Sequence, residues 1–158
     1  ARRCSPCTRR APHDPAVSPE DLARIHAAAF ARDRPWAAAE FRDLLQSPHV
    51  ALIDHPNGFA LTRLIADEAE LLTLAVDPAF HRQGIARRLM QNWLGALQGL
   101  TGTAFLEVAG DNTAARGLYA AHGFAVVSTR KAYYRRTNGP DADAVIMQRG
   151  FPYGQDRD

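Results

Sequence analysis

The sequence predicts an α/β fold, a single domain with a mixed central β-sheet flanked by helices. Three observations predict it. The 158 residues fit one domain that can bury a sizeable core. A composition of 46% hydrophobic and 23% charged residues is that of a globular chain, not a disordered or fibrous one. The local patterns then run in the order helices, antiparallel meander, β-α-β-α-β-β, with no internal repeat or long linker between them.

Each element has its own signal. Ser18-Pro19-Glu20-Asp21 opens the first helix: Ser18 caps it, Pro19 suits the first turn, and the acids meet the positive end of the dipole. Leu22, Ile25, Ala29 and Phe30 make its apolar stripe. A short second helix follows Pro35, turns Phe41, Leu44 and Leu45 inward, and ends at Pro48. Val50 to Ile53 and Phe59 to Ile65 read as strands joined by the turn residues Asp54-His55-Pro56-Asn57-Gly58. Glu70 to Val76 is a third strand. Apolar residues at 85, 89, 93, 94 and 97 give Ile85 to Leu97 helical spacing. Ala104 to Val108 is a strand, and Thr113 to Ala121 a helix closed by Gly123. Phe124 to Ser128 and Ala144 to Gln148 complete the sheet.

Composition excludes several function classes. A formal charge of +2 from 19 basic and 17 acidic residues is too small to make nucleic acid the main ligand. Leu89 to Leu106 is uncharged, but Gln91, Asn92, Gln98 and three glycines make it a poor membrane span. The basic start, Arg2, Arg3, Arg9 and Arg10, is followed by His13, Asp14 and Pro15, where a signal peptide would need an apolar stretch. Residues 1–17 are expected to be a flexible basic tail, 18–149 the domain, and 150–158 a second tail. Cys4 and Cys7 cannot build a disulfide framework, and without a second pair or a His cluster they do not read as a zinc site. The six histidines are scattered, so no metal is expected and a cytoplasmic location fits best.

The most informative stretch runs from Leu71 to Leu89. A strand enters a loop containing Arg82, Gln83 and Gly84, and the loop enters a helix at Ile85, Ala86 and Arg87. The first turn of a helix carries unpaired N–H groups and a positive dipole end, a natural seat for an anion. Gly84 lets the backbone approach a phosphate, Ala86 does not block it, and Arg82, Arg87 and Arg88 add charge. A single glycine would leave an ordinary strand-loop-helix the better reading, and neither a Walker loop nor the three-glycine dinucleotide fingerprint is present.

The continuation changes that balance. Leu106-Glu107-Val108, then Asn112 and Tyr119 seven residues apart, follow one helix later. With Ala75-Val76-Asp77-Pro78, Lys131-Ala132-Tyr133-Tyr134 and Asp143-Ala144-Val145-Ile146-Met147, these motifs closely resemble the GCN5-related N-acetyltransferase (GNAT) superfamily. The resemblance covers about Pro19 to Arg149 and is nearest to the bacterial ribosomal-protein alanine N-acetyltransferases, the RimI type. It implies the GNAT fold and acetyl-CoA as co-substrate. It also implies that the backbone of Leu74, Ala75 and Val76 holds the pantetheine arm, and that Arg82, Gln83, Gly84, Ile85, Ala86 and Arg87 hold the pyrophosphate. Asn112 matches a position that contacts the cofactor. Two positions depart from the family pattern: His81 stands where Gln or Arg is usual, and Ala109 where relatives often carry Arg.

Acetyl transfer to an amine needs a base for the ammonium proton and a proton for the departing thiolate. Glu107 is the one carboxylate of its strand, and apolar neighbours would raise its pKa toward the range useful for a base. From the residues alone it reads equally as an exposed strand-end acid; the motif match favours the base, acting directly or through water. Tyr119 lies two helical turns after Asn112, on the same face, and a phenol can protonate a thiolate. Its alternative is a core aromatic. The resemblance points to a peptide acceptor, the N-terminal alanine of the eighteenth small-subunit ribosomal protein. An α-amine near pKa 8 offers far more neutral base at pH 7 than a lysine does. Trp36, Tyr133 and Tyr134 are candidates to wall the acceptor groove, and Asp67, Glu68 and Glu70 are the nearest acids for a basic peptide. The same fold acting on a polyamine, amino acid or aminoglycoside is the alternative, and a catalytically silent acyl-CoA-binding module the second. Glu107 and Tyr119 together count against the silent module. The sequence leaves the oligomeric state open, with a monomer plausible.

Overall fold

In the computed structural model, which describes residues 17–152, the capping signals act as the sequence predicts. The Asp21 backbone N–H donates to Ser18 Oγ and the Ser18 N–H to the Asp21 carboxylate, both at 3.2 Å, a capping box at the head of α1 (Pro19–Ala29). Val17, just before the cap, is buried beside Leu22, so the core begins one residue inside the expected tail. Helix α2 (Ala38–Leu45) has no side-chain cap at Ala37; instead Glu40 accepts the Ala37 N–H at 2.7 Å while paired with Arg34. The meander follows as β1 (Val50–His55), β2 (Gly58–Ile65) and β3 (Glu68–Val76), then α3 (Ile85–Leu97), β4 (Thr103–Ala109), α4 (Thr113–Ala121), β5 (Ala125–Tyr134) and β6 (Ala142–Gly150).

The six strands form one sheet in the order β1-β2-β3-β4-β6-β5, antiparallel throughout except for β3 and β4. That one parallel pair follows from the connection, because α3 carries the chain across one face before β4 enters beside β3. Each face has its own core. Ile85, Leu89, Trp93 and Leu97 of α3 pack with Leu71, Leu106, Val108, Tyr119 and Met147 on one side. Leu22, Ile25 and Phe41 pack with Phe59, Leu61 and Ala75 on the other. Among the described residues no helix is long and apolar enough to cross a membrane.

Two departures from regularity position the site. The register of β2 against β3 shifts between Leu61 and Thr62, leaving one extra residue on β3. Side-chain parity flips there: Leu71 joins the α3 core and Leu72 the α1/α2 core, after which Leu74 and Val76 return to the α3 side. The second departure is a divergence. β3 pairs with β4 only from Glu68/Thr103 to Leu71/Leu106; beyond that β3 stays with β2 and β4 stays with β6. The sheet therefore opens into a wedge at its centre.

The chain ends differ from expectation. β6 runs to Gly150, and Phe151 is buried with its N–H donated to the Gly102 carbonyl at 2.9 Å, so both belong to the domain rather than to a tail. Residues 1–16, with Cys4 and Cys7, and 153–158 lie outside the described residues. β5 is longer than the sequence suggests, continuing past Ser128 to Tyr134. It is an edge strand exposed along nearly all its length, so the inside-outside alternation that marks a strand is missing. Its ladder with β6 is broken between Arg130 and Tyr134, where Ala132 takes a left-handed φ of 49° and donates its N–H to Asp143 Oδ1 at 2.8 Å.

Candidate active site

The wedge exposes the backbone of β3. From Thr73 to Val76 this strand has β2 on one side and no strand on the other among the described residues. Unpaired N–H and C=O groups along a strand edge are a template for an extended, amide-bearing ligand. Leu74, Ala75 and Val76 can contribute through backbone alone, since Ala75 and Val76 have buried side chains and Leu74 packs against the α3 core. Gly58 fixes the outer side of this segment: a Cβ there would sit 2.9 Å from the Ala75 carbonyl oxygen.

Past Val76 the chain makes a short 3-10 turn at Pro78–Phe80, capped by Asp77, whose Oδ1 accepts the Ala79 N–H at 3.0 Å. The loop that follows is tightly wound. Arg82 and Gly84 both take left-handed backbone, with φ of 63° and 75°. The first helical bond of α3 runs from the Arg88 N–H to the Gly84 carbonyl at 3.0 Å. The N–H groups of Ile85, Ala86 and Arg87 have no acceptor among the described residues, as the start of a helix requires. A Cβ built on Gly84 meets nothing within 4 Å, so the glycine serves its φ and the space before the loop is open. Arg82, Gln83, Arg87 and Arg88 are exposed around that space, while the Ile85 side chain is a core anchor. His81 occupies the departing position and contacts the Val76 carbonyl through Nε2 at 3.3 Å, tying loop to strand.

Asn112 caps α4, its Oδ1 accepting the Ala115 N–H at 3.2 Å, which leaves the side-chain NH2 without a partner in that cap. One helical face onward, Tyr119 is 6% exposed and packs edge-on against Phe124. Burial pushes its phenol up to about 12. Its hydroxyl makes no hydrogen bond among the described residues. The ring is a core aromatic, as one of the two sequence readings expects.

Glu107 sits where β4 leaves β3, but not in the surroundings expected of it. Its neighbours Leu106 and Val108 point to the α3/α4 core, and Glu107 points to the opposite face and is exposed. The premise of an acid desolvated by its apolar neighbours is corrected here, because strand alternation sends those neighbours away from it. What Glu107 has instead is a partner. The Tyr134 hydroxyl donates to Glu107 Oε1 at 2.6 Å, across 27 residues of sequence. Half-burial, and then this bond, hold the Tyr134 phenol above its ordinary range, so it stays a donor.

Behind Tyr134 stands a buried cation that sequence reasoning missed. The Arg136 side chain is 6% exposed and grips two carboxylates: Asp111, through Nε and Nη2 at 2.9 and 3.0 Å, and Asp33, through Nη1 at 2.6 Å. It ties the α1–α2 loop to the β4–α4 loop, and its guanidinium lies 5.7 Å from the Tyr134 ring centroid. The Arg136 guanidinium holds Asp111 below its ordinary range, and Asp111 and Asp33 hold Arg136 above its own. An arginine 103 residues from its partner leaves no local pattern, so only the neighbouring tyrosine pair gave a signal.

The remaining acceptor-side candidates divide. Tyr133 is exposed and meets Tyr134 edge to face at 5.2 Å. Trp36 packs: its backbone N–H donates to His26 Nδ1 at 3.2 Å and its ring stacks on the imidazole at 5.1 Å. Burial pushes His26 down to about 4, which keeps it neutral and able to accept that bond. Glu70 is paired with Arg63, and Asp67 accepts the Gly102 N–H at 2.7 Å, so neither presents a bare charge to a peptide. A recess of about 480 Å³ lined by Thr113, Arg116, Gly117 and Val126 lies against another face of α4. It contains none of the wedge residues from Leu74 to Arg87.

Comparison with known proteins agrees with this geometry. The model of the acetyltransferase (GNAT) family matches residues 17–124. The N-alpha-acetyltransferase RimI of Mycobacterium tuberculosis is 38% identical over 139 residues, covering 82% of this chain and 86% of that protein. The crystal structure of the ribosomal-protein-S18-alanine N-acetyltransferase from Escherichia coli superposes with a TM-score of 0.75 at 32% identity, covering 85% of this chain and 90% of that one. That of Arabidopsis thaliana NAA60 in complex with acetyl-CoA shares the fold, with a TM-score of 0.68 at 19% identity over 85% and 95% of the two chains.

Proposed function

The chain belongs to the GNAT acetyltransferase family, and from that premise we propose that it moves the acetyl group of acetyl-CoA onto a protein N-terminus, the N-terminal alanine of the eighteenth small-subunit ribosomal protein. The observation that carries this reading is the wedge, whose open β3 edge leads into the α3 N-terminus on one side and past Glu107 on the other. The pantetheine arm lies along Leu74 to Val76 as an added strand. The pyrophosphate lies on the free N–H groups of Ile85 to Arg87, with Arg82 and Gln83 beside it and the Asn112 amide near the arm.

The thioester carbon is then held at the mouth of the wedge, and the peptide amine approaches from the Glu107 face. The amine lone pair forms the C–N bond and the C–S bond breaks. Glu107 removes the amine proton, directly or through a water, and Tyr119 meets the departing sulfur. A phenol at about 12 keeps its proton throughout the working range, so Tyr119 acts as a hydrogen-bond donor to the sulfur as its charge develops. The reaction belongs in the cytoplasm, on a free ribosomal-protein N-terminus, and a formal charge of +2 gives no reason to include nucleic acid.

The test pairs labelled acetyl-CoA with a panel of peptides beginning in Ala, Ser or Met and a panel of polyamines, amino acids and aminoglycosides. Turnover confined to Ala-initiated peptides is the expected result. Turnover confined to small amines would overturn the acceptor assignment. Glu107→Gln keeps the side-chain shape and removes the base, and is expected to lower turnover about 10²–10⁴-fold. Normal turnover by that variant at neutral pH would refute Glu107 as the base.

A further inference from the structure

We infer that Tyr134, held in place by the Arg136 clamp, is a positioning residue for Glu107: its hydroxyl fixes which carboxylate oxygen faces the acceptor amine. The inference rests on the reading of Glu107 as base. Three observations carry it. The hydroxyl donates to Oε1 at 2.6 Å, which leaves Oε2 as the oxygen free to take a proton. The strand that delivers Tyr134 is irregular at that place, with Ala132 in a left-handed conformation held by Asp143 Oδ1 at 2.8 Å. A non-glycine residue in that conformation is strained and persists where surrounding contacts over-determine it. Finally, the Arg136 side chain is 6% exposed, and its guanidinium is spanned by Asp33 and Asp111 and lies 5.7 Å from the Tyr134 ring centroid.

An exposed glutamate on a strand otherwise samples several rotamers, each directing the carboxylate differently. One short bond to a half-buried phenol selects among them, and the clamp stops the phenol from following the carboxylate away. The other charged groups around Glu107 are few. Arg136 is balanced by Asp33 and Asp111, Arg32 stands 3.7 Å from Asp111, and Glu70 is paired with Arg63 on the same sheet face.

The experiment uses the full chain and measures kcat, acceptor KM and acetyl-CoA affinity for wild type, Tyr134→Phe, Arg136→Lys and Glu107→Gln. Tyr134→Phe is expected to lower kcat about tenfold while acceptor KM and acetyl-CoA affinity stay unchanged. Arg136→Lys keeps the charge but cannot hold two carboxylates in a planar fork. It is expected to lower kcat in the same way and to raise the acceptor KM. An unchanged kcat in Tyr134→Phe, in a protein where Glu107→Gln has lost turnover, overturns the positioning role and leaves the base assignment standing. Normal turnover by Glu107→Gln overturns the base assignment and the positioning role with it. Loss of acetyl-CoA response in Arg136→Lys would make the clamp a folding element and refute its part in positioning.

Discussion

Gly84 offers the sharpest separation of backbone strain from ligand charge. Its φ of 75° is one that an L-residue adopts at a cost of roughly 1–2 kcal/mol, whereas a Cβ built there touches nothing within 4 Å. Gly84→Ala therefore tests strain alone. In a domain of this size 1 kcal/mol moves Tm by about 2–4 °C, so the ligand-free alanine variant should melt about 2–8 °C lower. Acetyl-CoA at about one hundred times its Kd stabilises the folded state by about 2.7 kcal/mol, which raises wild-type Tm by about 5–11 °C. The alanine variant should keep most of that rise, because the N–H groups of Ile85 to Arg87 remain. Gly84→Glu adds a carboxylate in the open space proposed to hold the pyrophosphate. Two unit charges about 5 Å apart at an effective dielectric near 20 repel by about 3 kcal/mol, enough to cancel the whole gain. Differential scanning fluorimetry with and without acetyl-CoA reads both quantities. A glutamate variant whose Tm rises with acetyl-CoA as much as the wild type's would refute the assignment of this loop to the pyrophosphate.

Tyr119→Phe keeps the packing against Phe124, so acetyl-CoA affinity should hold while turnover falls. The defect should shrink with an acyl donor whose thiol is more acidic, and a defect independent of the leaving group would leave Tyr119 a packing residue. His26, pushed down to about 4 from 6.5 by burial, binds a proton more readily unfolded than folded. Its neutral-state contribution is therefore complete above pH 6.5 and lost as pH falls toward 4. His26→Gln, which still offers Trp36 an acceptor, should flatten the fall of Tm between those values, and an unchanged slope would clear His26 of that loss. Since the described core starts at Val17, removal of residues 1–16 should leave Tm and turnover nearly intact; an insoluble or inactive truncation would overturn that division of the chain.

What the sequence made legible were the features enforced locally. The capping box at Ser18 and Asp21, the apolar stripe of α3, and the strand-loop-helix around Gly84 each depend on residues within a turn or two of one another. The places where legibility failed share one cause. β5 lies at an edge and has no buried face, so nothing in its composition marked where it ended. The strand around Glu107 did have its alternation, but alternation gives only the side on which a residue lies. It did not say that this side has solvent and a tyrosine from another strand rather than an apolar wall.

The chemistry of the wedge therefore depends on two kinds of information held in different parts of the chain. The cofactor half is short-range: backbone edge, tight loop and helix start follow one another from Leu74 to Arg87, and their ligand-binding groups are mostly main-chain. Such a half tolerates a change of side chain, as His81 illustrates by anchoring its loop to the Val76 carbonyl. The acceptor half is long-range and made of side chains. Glu107 comes from β4, Tyr134 from β5, and the Arg136 clamp draws Asp33 and Asp111 from two further loops. On the proposed reading, a substitution at one of these positions should leave the cofactor half intact while changing how the amine is met. The two halves should then separate in measurements of KM for each substrate, and equal losses in both would refute that division.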